Sequence, residues 1–131
     1  MKRVIWNFTV YRPLTEIVKA DDNDTYIHYV NCRRACMFEE DQTEKVNNLK
    51  LATDKCIEEG ILVPITVRAK NLSEVFKFTN SIDFPWHERD EVIVPASRDL
   101  FMYSSSVGDI VHEPISNRSF MIAEIGFIEI V

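Results

Sequence analysis

Ile61-Leu62-Val63-Pro64-Ile65-Thr66-Val67-Arg68 is followed, after Ala69-Lys70, by Asn71-Leu72-Ser73-Glu74-Val75-Phe76-Lys77-Phe78-Thr79. The apolar period changes within this stretch. Ile61, Val63, Ile65 and Val67 alternate with Leu62, Pro64, Thr66 and Arg68, which is the spacing of a strand rich in β-branched residues. Pro64 has no N–H to give to a ladder, so part of that strand lies at a sheet edge. Leu72, Val75, Phe76 and Thr79 then fall at i, i+3, i+4 and i+7 behind a capping Asn71, which predicts a short amphipathic helix. Strand followed directly by helix points to a mixed architecture.

Upstream, Val4, Trp6, Phe8 and Val10 alternate with Arg3, Asn7, Thr9 and Tyr11, and Pro13 closes this strand. An acidic loop, Asp21-Asp22-Asn23-Asp24, leads into Thr25–Asn31, whose β-branched and aromatic residues predict a short strand. Asp41 with Glu44 three residues on has the form of a capping box. Val46, Leu49, Ala52, Cys56 and Ile57 make one helical stripe behind it, and Gly60 suits a left-handed C-cap.

Downstream, Ser81–Glu91 reads as a loop, and short strands are expected at Val92–Val94, Leu100–Tyr103, Asp109–His112, Phe120–Ile125 and Phe127–Val131. Ser106-Val107-Gly108-Asp109 is a structural turn in which Gly108 supplies positive φ and Asp109 bonds nearby backbone. Ser116-Asn117 closes a hairpin, and Gly126 marks a bulge. Residues 1–131 are expected to form a single α+β domain. In it, an N-terminal strand–helix–strand–helix unit packs on a small C-terminal antiparallel sheet.

The 131 residues are 46% apolar and 27% charged, which excludes disordered and low-complexity classes. Three glycines argue against a phosphate-cradling loop. The net charge of −6 gives no bulk attraction to nucleic acid or anionic membrane. No apolar run reaches the roughly 18 residues of a membrane span. Cys32, Cys36 and Cys56 fit neither a disulfide framework nor a zinc ribbon, and read as free thiols in a reducing cytoplasm.

The helix Asn71–Asn80 resembles a recurring N-L-x-E-V-F-x-x-T-N pattern, with Pro85-Trp86 a short distance on. Ser104–Val111 is similar to an S-x-S-V-G-D turn followed by two apolar residues. Phe120–Ile130 resembles a terminal segment ending in G-F-x-x-I. The three occur in this order in small proteins of tailed bacteriophages and related bacterial mobile elements, and more distantly in YodL-like accessory domains. The resemblance covers residues 61–131. It departs at Tyr103, where related sequences often carry a basic residue, so a contact made by that residue is changed here. The family brings no established activity and no catalytic residues. What it implies is a phage accessory protein made in the host cytoplasm.

Ser104, Ser106, Asp109 and His112 crowd one turn without a nucleophile elbow, so they do not read as a triad. His87 and His112 lack a second ligand pair at helical spacing, and Asp21–Asp24 lacks the Gly and Glu of a calcium loop. No catalytic residue, metal or cofactor is expected. Phe76, Phe78 and Phe120 read as core-facing and away from Lys or Arg, which disfavours a nucleic-acid stacking platform. The favoured contact is the loop carrying Phe84 and Trp86, with Asp90 and Glu91 beside it to complement a basic surface. The expected action is non-enzymatic binding of a host or phage protein, with no membrane role. A nucleic-acid-directed regulator is the alternative, and an enzyme ranks below it. Edges at Pro64 and Phe127–Val131 leave a homodimer open.

Overall fold

The computed structural model describes residues 5–36, 43–80, 90–95, 99–102, 105, 107–123 and 126–130. The elements run β1 (Trp6–Pro13), α1 (Thr15–Ala20), α2 (Asp24–Ala35), α3 (Thr43–Glu58), β2 (Leu62–Ala69), α4 (Leu72–Thr79), β3 (Val92–Ile93), β4 (Ile110–Glu113), β5 (Arg118–Ile122) and β6 (Phe127–Ile130). The fold is α+β. Its strands form one six-stranded sheet in the order β3-β2-β1-β4-β5-β6, antiparallel throughout. The C-terminal strands therefore extend the same sheet as the N-terminal ones. The joint is β1, which pairs with β2 along its whole length and with β4 at Thr9↔His112 and Val10↔Val111.

The two sequence periods sort the sheet into two faces. Phe8, Val10, Val63, Ile65, Val67, Val111 and Ile122 point to one side and pack under Val75 and Phe78 of α4. Leu62, Ile110 and Met121 point to the other, under Tyr29 of α2 and Val46, Leu49, Ala52 and Cys56 of α3. Each fully buried Val, Ile or Leu contributes roughly 1.5–3 kcal/mol relative to exposure. Asn71 caps α4 as its spacing predicts. Its Oδ1 accepts the Glu74 N–H at 2.9 Å, and Glu74 Oε1 accepts the Lys70 N–H at 3.1 Å. Beyond the Thr66↔Ile93 pair, the described β3 leaves the Pro64 half of β2 without an outer neighbour.

The expected strand at Thr25–Asn31 is overturned, because α2 occupies it. Asn23 is an N-cap rather than a loop residue: its Oδ1 accepts the Tyr26 N–H at 3.0 Å. Asp24 in the first turn and Arg33 and Arg34 in the last favour the helix dipole. These local terms and the burial of Tyr29 outweigh the β propensity of Tyr26, Ile27, Tyr29 and Val30. The strand expected at Leu100–Tyr103 contracts to one bridge, Leu14↔Leu100, with the Phe101 N–H given to the Pro13 carbonyl at 2.8 Å; Tyr103 lies outside the described residues. The Asp41 cap also lies outside them. Helix α1 was not expected. Its last residue is followed by Asp21 in the left-handed region at φ 53°, a conformation short Asp side chains tolerate.

Candidate functional site

Phe84, Trp86, Ser104 and Ser106 fall outside the described residues. Asp90 is exposed ahead of β3. Glu91 is half-buried, and its carbonyl accepts the Arg68 N–H at 2.8 Å. Gly108 has φ +93°, and its Cα faces the backbone of Arg33, so a Cβ there would sit 3.3 Å from the Arg33 Cβ and carbonyl oxygen.

Asp109 does more than close a turn. It is buried, and its Oδ1 lies 2.9 Å from Arg33 Nη2 at the end of α2. Its Oδ2 lies 3.6 Å from Arg12 Nη2 on β1. Arg12 is only 1% exposed and also donates to the Tyr11 carbonyl at 2.7 Å and to Ser105 Oγ at 2.9 Å. The Ser105 N–H goes to the Thr79 carbonyl, and the Ser105 carbonyl accepts from the Asn80 amide. One ion-pair network thus fastens β1, α2 and the turn before β4 to the end of α4. A signal for Arg12 was present in the sequence. The alternation Val4, Trp6, Phe8, Val10 continues onto Arg12, which places it on the core face.

A groove of about 470 Å³ lies between the start of α4 and the β1–β4–β5 face. Trp6 and Phe8 of β1, Leu72 of α4 and Phe120 of β5 line it. Phe8 is 5% exposed and Trp6 38%. The antiparallel β1–β4 pairing carries the β4–β5 turn alongside Trp6. At this end Ile5 and Ile115 are also exposed, Ile115 at 76%. A volume of this size lies within the usual range of ligand-binding clefts, roughly 300–1,000 Å³.

The rim is charged. The Arg118 guanidinium stands 5.1 Å from the centre of the Phe120 ring and forms a bidentate pair with Glu129, both contacts at 2.8 Å. This corrects the core-only reading of Phe120: it is half-buried and next to a cation. Phe76 is likewise 36% exposed, whereas Phe78 is buried. Lys70 Nζ lies 3.8 Å from Glu74. Glu113 belongs to the lining but is turned toward its own loop. Its carboxylate accepts the Ile115 N–H at 2.8 Å, the Ser116 N–H at 2.6 Å and the Ser116 hydroxyl. The Ser116 hydroxyl, ahead of the two backbone donors and His112, holds the Glu113 carboxyl below its ordinary range.

The opposite face has a smaller cleft of about 250 Å³ between α3 and the sheet. There His112 Nδ1 lies 2.8 Å from Ser119 Oγ across the β4–β5 ladder. Tyr11 lines the same cleft, and burial, then Asp54, pushes its phenol up. A Ser–His contact of this kind needs a third group to orient the imidazole before it becomes a nucleophile–base pair. His112 meets the serine directly opposite it in the ladder, so the pair reads as sheet hydrogen bonding. No group of three or more metal-ligating side chains converges among the described residues, and no described helix is long and apolar enough to cross a membrane.

No protein-family model, curated protein or solved structure matches this chain.

Proposed function

We propose that this chain is a non-enzymatic module that binds a protein partner, and that the Trp6 groove is its contact surface. One observation carries the reading. Trp6, partly exposed, lines one groove together with Phe8, Leu72 and Phe120. A large, rigid aromatic ringed by apolar and polar neighbours is the usual composition of an interface hot spot. Isolated exposed apolar residues need no explanation, but apolar side chains from three elements lining one groove do. The phage resemblance makes a host or phage protein of the bacterial cytoplasm the partner to seek.

The test is site-specific photo-crosslinking in bacterial lysate, with the reactive side chain at position 115 and, as control, at position 51 on the exposed face of α3. A partner captured from position 115, absent from position 51 and lost in Trp6→Ala supports the proposal. Equal capture at both positions, or none at either, removes it.

A second reading has one observation in its favour. Arg118, Phe120, Trp6 and Lys70 do combine cations with aromatic rings at one groove, as single-strand binding requires. It ranks second because the described lining offers two cations to a strand that presents a phosphate at every nucleotide. A mobility shift with a single-stranded oligonucleotide, weakening as salt rises, would reverse the order.

A further inference from the structure

We infer that the segment this groove takes is an acidic peptide presenting one large aromatic side chain; the inference rests on the protein-binding reading above. The aromatic part follows from shape. Trp6, Phe8, Leu72 and Phe120 all line the groove, so a ring seated in it meets apolar and aromatic surface. The acidic part follows from which charges the lining leaves facing outward.

Among the described residues, three ionisable side chains line the groove: Lys70, Glu113 and Arg118. Glu113 is buried, and both its oxygens are occupied by donors of the 115–116 turn. It has little left to offer a cation in the groove. Lys70 and Arg118 are 41% and 54% exposed at the rim. Their present partners, Glu74 and Glu129, are themselves partly exposed, and pairs of this kind contribute roughly 0–1 kcal/mol. An incoming carboxylate can therefore replace either partner at little cost. The guanidinium, moreover, can receive it in the same two-pronged geometry that Glu129 now uses. A basic peptide meets the two cations in the lining, whereas Glu74 and Glu129, which could attract it, pair with them from outside the lining. The net charge of −6 opposes an acidic ligand only at long range, and at physiological salt it is screened beyond about 8 Å.

The experiment uses the full chain labelled with ¹⁵N and three synthetic peptides in a common Gly-Ser frame, with central Glu-Phe-Asp, Lys-Phe-Lys or Glu-Ala-Asp. The Glu-Phe-Asp peptide should shift the amides of Asn71–Ser73 and Ser116–Phe120, and should bind about tenfold more tightly than either control, the ratio that losing one anchor contact predicts. The double variant Lys70→Glu/Arg118→Glu changes two exposed residues and should reverse the preference toward Lys-Phe-Lys while its spectrum stays dispersed. Equal binding of all three peptides, shifts confined to other surfaces, or no shift at all would overturn the inference. If position 115 still captures a protein while Lys-Phe-Lys binds best, the acidic class falls and the binding module stands. If an oligothymidine shifts these amides and no peptide does, both fall.

Discussion

Arg12 and Asp109 lie 3.6 Å apart with almost no exposure, although 97 residues separate them in sequence. Arg33 reaches the other oxygen of the same carboxylate, so one buried acid organises two cations. Taking charges out of water is expensive, and such a group is tolerable only while its partners stay in place.

Removing the acid should therefore cost more than its size suggests. Asp109→Ala leaves Arg12 buried beside Arg33 with no carboxylate between them. A loss of about 3–5 kcal/mol is expected in urea unfolding. Asp109→Asn, which keeps one acceptor, should lose less. A loss under 1 kcal/mol for the Ala variant would show that water reaches Arg12.

Gly108 should be the least replaceable of the glycines. Gly108→Ala combines a φ of +93° with a Cβ 3.3 Å from the Arg33 backbone. Gly60→Ala has positive φ alone, with open space around the new atom. Left-handed strain alone costs roughly 1–2 kcal/mol. Gly108→Ala should exceed that and Gly60→Ala should stay within it, as thermal unfolding would show. Equal effects would mean that the end of α2 gives way.

Glu113 sets a pH dependence whose sign follows from its lowered folded pKa. The stabilisation is present above the ordinary carboxyl value of 4.5 and is lost as pH falls through the lower, folded value. Glu129, held down chiefly by its hydrogen bonds to Arg118, behaves in the same sense. Glu113→Gln should flatten the acid side of a stability–pH profile, and Glu113→Gln/Glu129→Gln should flatten it further. A wild-type profile without any fall below pH 4.5 would contradict the assignment.

The three thiols should react in a fixed order. Cys32 is half-buried, while Cys36 and Cys56 are fully buried. Burial, with Glu59 next, pushes the Cys56 thiol up to about 11. The thiolate is the reactive form. Iodoacetamide at pH 8 should modify Cys32 first and Cys56 only after unfolding, as peptide mass spectrometry reads directly. Labelling of Cys56 at the rate of Cys32 would place the edge of α3 in solvent.

The N-cap of α2 gives a smaller effect. Asn23→Ala removes the acceptor of the Tyr26 N–H, and about 1 kcal/mol of stability should go with it. No change would mean that the burial of Tyr29 alone determines this helix.

Elements whose periodicity and caps agree were legible in the sequence: β1, α3, α4 and the β4–β5 hairpin. Helix α2 was not, because its side chains favour a strand while its ends favour a helix, and the ends prevailed. The six strands were readable one by one. Their assembly into one sheet was not, since nothing local tells β4 to seek β1. At the candidate site, Trp6 was visible as sharing one strand face with Phe8 and Val10, and Phe120 read as core-facing. Periodicity says which face a side chain takes. It does not say how far an overlying helix extends, and α4 is eight residues long and leaves the Trp6 end of its face uncovered. Arg118 at i−2 from Phe120 was the readable clue, because same-face neighbours in a strand are two apart.

The position of β1 constrains how the chain is made. β1 precedes every other described strand yet becomes an inner one, and its second neighbour, β4, is translated about a hundred residues later. Through that interval one edge of the nascent strand waits without its ladder. Closing so distant a pairing is slow relative to helix formation. The unpaired edge of the growing chain, more than any weakness of the finished sheet, is where this topology exposes the protein to mispairing.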